Sequence, residues 1–180
     1  MKILGTIISD TLSWDSNTSQ LIKRVNKRML LLKKILSFGA TTEEMTHLWK
    51  IYCRSIVEQS AVVWSSSLTK ENIADIERTQ KSFAKLVLKE KYRSYPEALL
   101  LLNLESLEDR RTELCLQFAK KCLLNEKFSN LFPENVNHGL ETRNQEKYKV
   151  RFSLTERTKM SSIIQMQHLL NADHRNRTQT

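Results

Sequence analysis

Arg78, Lys81, Lys85 and Lys89 recur three and four residues apart, so on a helix they form one row of cations. Such a row can neutralise successive phosphates of a nucleic acid, and it can equally be a solvated helix face. Lys23, Lys27 and Lys34 make a second row with the same two readings. Arg110 and Arg111 stand among Glu105, Glu108, Asp109 and Glu113. They either pair with those acids and clamp neighbouring helices, or they reach phosphate. Trp14, Trp49, Tyr52, Trp64 and Phe83 have the flat faces that stack bases, but they recur on apolar stripes, which favours the core.

Catalytic groups are scarce. No Asp-Asp pair occurs, and Glu43-Glu44 and Glu108-Asp109 sit at helix starts, where the backbone dipole accounts for them. His47, His138, His168 and His174 have no Asp or Cys partner at motif spacing. Cys53, Cys115 and Cys122 include no C-x-x-C, which argues against a zinc ribbon; buried thiols in a reducing compartment are expected. No cofactor or metal site is expected.

The chain has 180 residues, room for one sizeable core plus an extension. Its net charge is +9, which points to a polyanionic partner, nucleic acid first and an anionic membrane surface second. With 3 Gly and 2 Pro, turns are rare and long helices are favoured over sheet. The apolar run at residues 2–8 is too short for a secretory signal, and no run approaches a bilayer span, so an intracellular, non-membrane protein is expected.

These elements must position the cations. Residues 2–8 read as a lone strand without a partner, so deleting residues 1–10 is expected to leave melting nearly unchanged. Asp15 or Asn17 caps a helix to about Phe38, stopped by Gly39, with Leu21, Val25, Met29, Leu32 and Leu36 on one face. Thr41 and Glu44 form a capping box for a second helix reaching about Trp64, with Met45, Leu48, Trp49, Tyr52, Cys53, Ile56 and Val57 inward. Thr69 caps a third, with Ile73, Ile76, Phe83 and Val87 opposite the cations.

Ser94 starts a short helix with Pro96 first, and Ser106 caps another that ends near Leu124 and turns Leu107, Leu114, Cys115, Phe118 and Cys122 inward. Residues 128–144 read as irregular, 148–154 as a short strand, 159–170 as a last helix and 172–180 as a disordered polar tail. The predicted fold is mainly α: a multi-helix bundle at 15–125, preceded by a strand and turn at 1–14 and followed by a loosely ordered extension at 126–180.

Several blocks carry a resemblance. They are Leu4-Gly5 with Leu12-Ser13-Trp14, Leu48-Trp49-Lys50-Ile51-Tyr52 with Val62-Val63-Trp64, and Ile76-Glu77-Arg78-Thr79-Gln80-Lys81. Tyr95 with Leu99 to Leu102 follows, then Leu104-Glu105-Ser106-Leu107-Glu108-Asp109-Arg110-Arg111. Phe132-Pro133, Thr142-Arg143-Asn144 and Leu169-Leu170-Asn171 trail. In order and spacing they resemble the segment after the catalytic palm of non-LTR (LINE-type, jockey-like) retrotransposon reverse transcriptases.

The resemblance implies a thumb and the region after it, gripping an RNA–DNA or DNA duplex through phosphates, with a palm-bearing polymerase portion as protein partner. The two-metal carboxylates of that family lie upstream of this segment, so the expected chain is non-catalytic. The alternative is a helical protein-interaction or structural remnant with no dedicated ligand.

Overall fold

A computed structural model describes residues 1–11, 13–135 and 146–178. Leu12, His138 and the Thr142-Arg143-Asn144 block lie outside the described residues, as do much of the expected irregular stretch and the last two residues of the expected tail. The chain is mainly helical and forms two compact units: Met1–Ala61 with Leu68–Arg111, and Val62–Ser67 with Thr112–Thr180.

The first unit begins with a hairpin where a lone strand was expected. Strands β1 (Lys2–Ile3) and β2 (Thr6–Ile7) pair antiparallel, Lys2 opposite Ile7 and Ile3 opposite Thr6. Leu4 and Gly5 both have positive φ, +47° and +86°, the two-residue turn whose twist suits a hairpin. The expected independence of this segment is also overturned. Ile7 N–H donates to the buried Asn17 side chain at 3.1 Å, and Gln59 Nε2 donates to Leu4 O at 3.0 Å. Deletion of residues 1–10 therefore removes a partner from the buried Asn17 side chain and another from Gln59.

A Cβ on Gly5 would lie 2.6 Å from Gln59 Nε2. Gly5→Ala is expected to cost about 1–2 kcal/mol through the left-handed backbone alone, whereas Leu4→Asn, which suits that backbone, raises the melting midpoint. Thermal melting of the two variants checks both signs; a neutral Gly5→Ala would mean that the hairpin does not form.

Helix α1 (Asp15–Ser37) starts without a side-chain cap, contrary to the sequence expectation. Asp15 lies in its first turn, where donors from Ser13 and Asn72 hold its carboxyl below the ordinary value. Asn17 is turned inward to the hairpin instead. Gly39, at φ +93°, stops the helix as expected. Leu21, Val25 and Leu32 are buried.

Helix α2 (Thr42–Leu48) has the predicted Thr41–Glu44 capping box, whose hydrogen bonds hold the Glu44 carboxyl low. The predicted continuous helix to Trp64 does not form. A π-helical turn, Trp49–Arg54, follows, then α3 (Ser55–Glu58), a break at Ser60 (φ +54°) and α4 (Ala61–Trp64). Residues in a π turn advance by less than 100° each. Three residues after Trp49 that lag carries Tyr52 off the inward face, while Cys53 still meets the core. Burial pushes the Cys53 thiol up to about 11.

Helix α5 (Lys70–Leu88) is capped by Thr69, which accepts from Asn72 N at 3.1 Å. It buries Ile76, Phe83 and Val87 as predicted, and Phe83 stacks on Trp49 with centroids 4.7 Å apart. A buried polar network locks it. Gln80, with no exposed surface, accepts from Trp49 Nε1 at 3.0 Å and donates to Tyr95 Oη at 3.0 Å and Glu105 O at 2.7 Å. Tyr95 donates to Glu77, which also accepts from Leu107 N at 3.0 Å. Burial, with Glu77 as acceptor, pushes the Tyr95 phenol strongly upward. Glu77, Gln80 and Tyr95, all from the blocks that carry the resemblance, are thus fold determinants.

Helix α6 (Tyr95–Leu101) has Ser94 as its cap, with Pro96 second instead of first. Helix α7 (Leu107–Leu123) begins at the predicted Ser106 cap, and the boundary between the units falls inside it. Phe118, expected inward, is exposed; Ala119 takes the inward place beside Cys115 and Cys122.

The second unit packs Cys115, Ala119, Cys122, Phe132, Tyr148, Met166 and Leu170 together. Cys53, Cys115 and Cys122 are buried, and none of them forms a disulfide. Helices α8 (Glu126–Ser129) and α9 (Glu156–Lys159) are single turns. The expected strand at 148–154 is reduced to one antiparallel bridge, Glu134 with Tyr148, because a side chain takes the edge: Tyr148 N–H donates to Asn171 Oδ1 at 2.8 Å and Asn171 Nδ2 donates to Tyr148 O at 2.9 Å.

Helix α10 (Ser162–Thr178) starts three residues later than predicted and runs through most of the expected polar tail. Asp173 explains the extension, pairing with Lys120 at 2.9 Å and, one turn on, with Arg177 at 3.1 Å. No helix among the described residues is long and apolar enough to cross a membrane.

Candidate nucleic-acid interface

Helix α5 turns Lys81 and Lys85 to solvent, opposite the buried Ile76, Phe83 and Val87. At 1.5 Å rise per residue the two are about 6 Å apart along the axis. Lys85 Nζ lies 5.5 Å from the Tyr92 ring centroid, a cation–π contact that leaves its charge at the surface. Lys89 is exposed but is not on the helix. It follows the last α-helical residue with φ +47°, in the position where glycine usually ends a helix, and begins the 3₁₀ turn Lys89–Lys91.

Arg78 differs from its three neighbours. It pairs with Asp75 at 2.6 Å and lines a groove with Ile22 and Asn26 of α1. Its charge is matched locally, although it remains 70 % exposed.

On α1, Lys23, Lys27 and Lys34 point away from Leu21, Val25 and Leu32 and are exposed, as the periodicity predicted. None of Lys23, Lys27, Lys34, Lys81, Lys85 and Lys89 has an anionic partner among the described residues. The sequence reading passed over Arg24, Arg28 and Lys33 on the same helix. The missed signal is acidic silence: between Ser16 and Ser37 six residues are Lys or Arg and none is Asp or Glu, so no ion pair within the helix can cancel the field.

Arg110 and Arg111 do not join this surface. Arg110 Nε sits 3.0 Å from Glu58 Oε1, and Arg54 pairs with the same oxygen at 3.2 Å. Arg111 is 3 % exposed, out of reach of a backbone phosphate, so its place in the phosphate-contacting set is corrected. Arg110 follows the clamp reading, although its acid is Glu58, 52 residues away, and not one of the neighbours Glu105, Glu108, Asp109 and Glu113.

Among the aromatic residues, Trp49, Trp64 and Phe83 are fully buried as expected. Tyr52 is not: it is 46 % exposed, with the Arg28 guanidinium over its ring at 6.0 Å from the centroid. Among the described residues no group of three His, Cys, Asp or Glu side chains lies together as a metal site. No protein-family model, no curated protein and no solved structure matches this chain.

Proposed function

We propose that the chain is a thumb-like, non-catalytic nucleic-acid-binding region of a LINE-type retrotransposon reverse transcriptase, holding an RNA–DNA or DNA duplex through its phosphates without reading sequence. The family part of this reading rests on the ordered blocks between Leu4 and Asn171. The binding part rests on one observation: Lys23, Lys27 and Lys34 of α1 and Lys81 and Lys85 of α5 are exposed, have no anionic partner among the described residues and stand opposite buried apolar stripes. Phosphate contact through lysine is a point-charge interaction and carries no base information.

Fluorescence anisotropy on duplex DNA and RNA–DNA hybrid across a salt series tests it. Each neutralised phosphate contributes about −0.9 to the slope of log affinity against log salt on a B-form duplex. Changing Lys81, Lys85 and Lys89 together to Gln keeps helix propensity at the two α5 positions and is expected to flatten the slope by about 2.7, weakening all sequences alike. Salt-independent binding, or an unchanged slope in the triple variant, removes the proposal and leaves the helical interaction remnant in its place.

A further inference from the structure

We infer that Tyr52, displayed by the π-helical turn beside Arg28, is a stacking platform for an unpaired base of a single-stranded nucleic acid. The inference rests on the nucleic-acid-binding reading but not on the α5 lysines, and it names a different substrate element, a single strand instead of a duplex.

Three observations converge on this place. First, the π turn moves the tyrosine from the inward face to the surface while keeping Trp49 and Cys53 in the core, and π turns recur at functional sites. Second, the ring is held. Arg28 donates to the Tyr52 carbonyl, which fixes its guanidinium over one face of the ring and keeps donors available for a phosphate. Third, the surroundings are cationic. Lys27 is on the same helix as Arg28, Lys50 precedes Tyr52 by two residues, and neither α1 beyond Asp15 nor the π turn carries a carboxylate. An exposed aromatic ring within a basic surface is the arrangement that binds single strands: the backbone follows the charge and a base covers the ring.

The test uses the full chain and a fluorescein-labelled oligouridylate of about ten nucleotides, with an abasic backbone of equal length as comparison. Base stacking on one ring contributes about 1–3 kcal/mol, which is roughly 5- to 150-fold in affinity. Tyr52→Ala is expected to weaken oligouridylate binding by that factor, to leave the abasic backbone unaffected and to leave the duplex salt slope unchanged. Tyr52→Phe, which keeps the ring, is expected to bind as the parent does. The parent chain itself should prefer oligouridylate to the abasic strand, a comparison that needs no variant. Equal binding of the two strands by the parent, or an unchanged affinity in Tyr52→Ala, overturns the inference. Neither result touches the α5 duplex test, so the two readings fail separately.

Discussion

Gln80→Leu should destabilise the first unit by about 2–6 kcal/mol. Leucine fills most of the glutamine volume, so the loss is polar. Trp49 Nε1–H and the Glu105 carbonyl each lose their buried partner, at about 1–3 kcal/mol per orphaned group. Tyr95 keeps Glu77 and adds little. Against the roughly 5–15 kcal/mol that holds a typical domain together, this is a large fraction. A double-mutant cycle separates the hydrogen bond from packing. Trp49→Phe removes the N–H that Gln80→Leu strands, so the second change should cost less in that background, with a coupling of about 0.5–3 kcal/mol. Strict additivity in urea unfolding would mean that the indole and amide do not bond.

Asn171→Leu should have an effect of similar size in the second unit. Asn171 is 1 % exposed, and its amide closes both the N–H and the C=O of Tyr148. Leucine satisfies neither, so about 2–6 kcal/mol is again expected from two stranded backbone groups. The neighbouring His168 is exposed, and His168→Ala should stay within about 0.5 kcal/mol. Hydrogen exchange gives the local readout: the Tyr148 amide should lose most of its protection in Asn171→Leu. Unchanged protection there would sink the assignment of Asn171 as its partner, whatever the melting shows.

These two residues also show how an amide at the right helical position organises chain that has no sheet of its own. Gln167, one turn before Asn171, accepts from Arg151 N at 3.1 Å and donates to Leu131 O at 2.8 Å. Together the two amides of α10 hold two irregular segments against the helix. A polar residue on an apolar face is the only trace of this in the sequence.

What the sequence determined by itself is local. The Thr41–Glu44 box, the Thr69, Ser94 and Ser106 caps and the Gly39 stop each depend on residues within about four positions, and all are present. The lysines of α1 and α5 fall opposite Val25 and Phe83 because helical periodicity fixes angles around one axis, and so the greater part of the candidate interface was legible.

Tertiary structure decided whatever depends on a partner across space. Gln80 meets Trp49 across 31 positions and Asn171 meets Tyr148 across 23, and no local pattern encodes either. Arg110 and Arg111 look alike in sequence, yet one is on a half-buried carboxylate and the other is inside the fold. Tyr52 was misplaced because a single π turn changes the angular advance within its own helix. That choice is made by what Trp49 and Cys53 pack against, not by the residues of the turn alone.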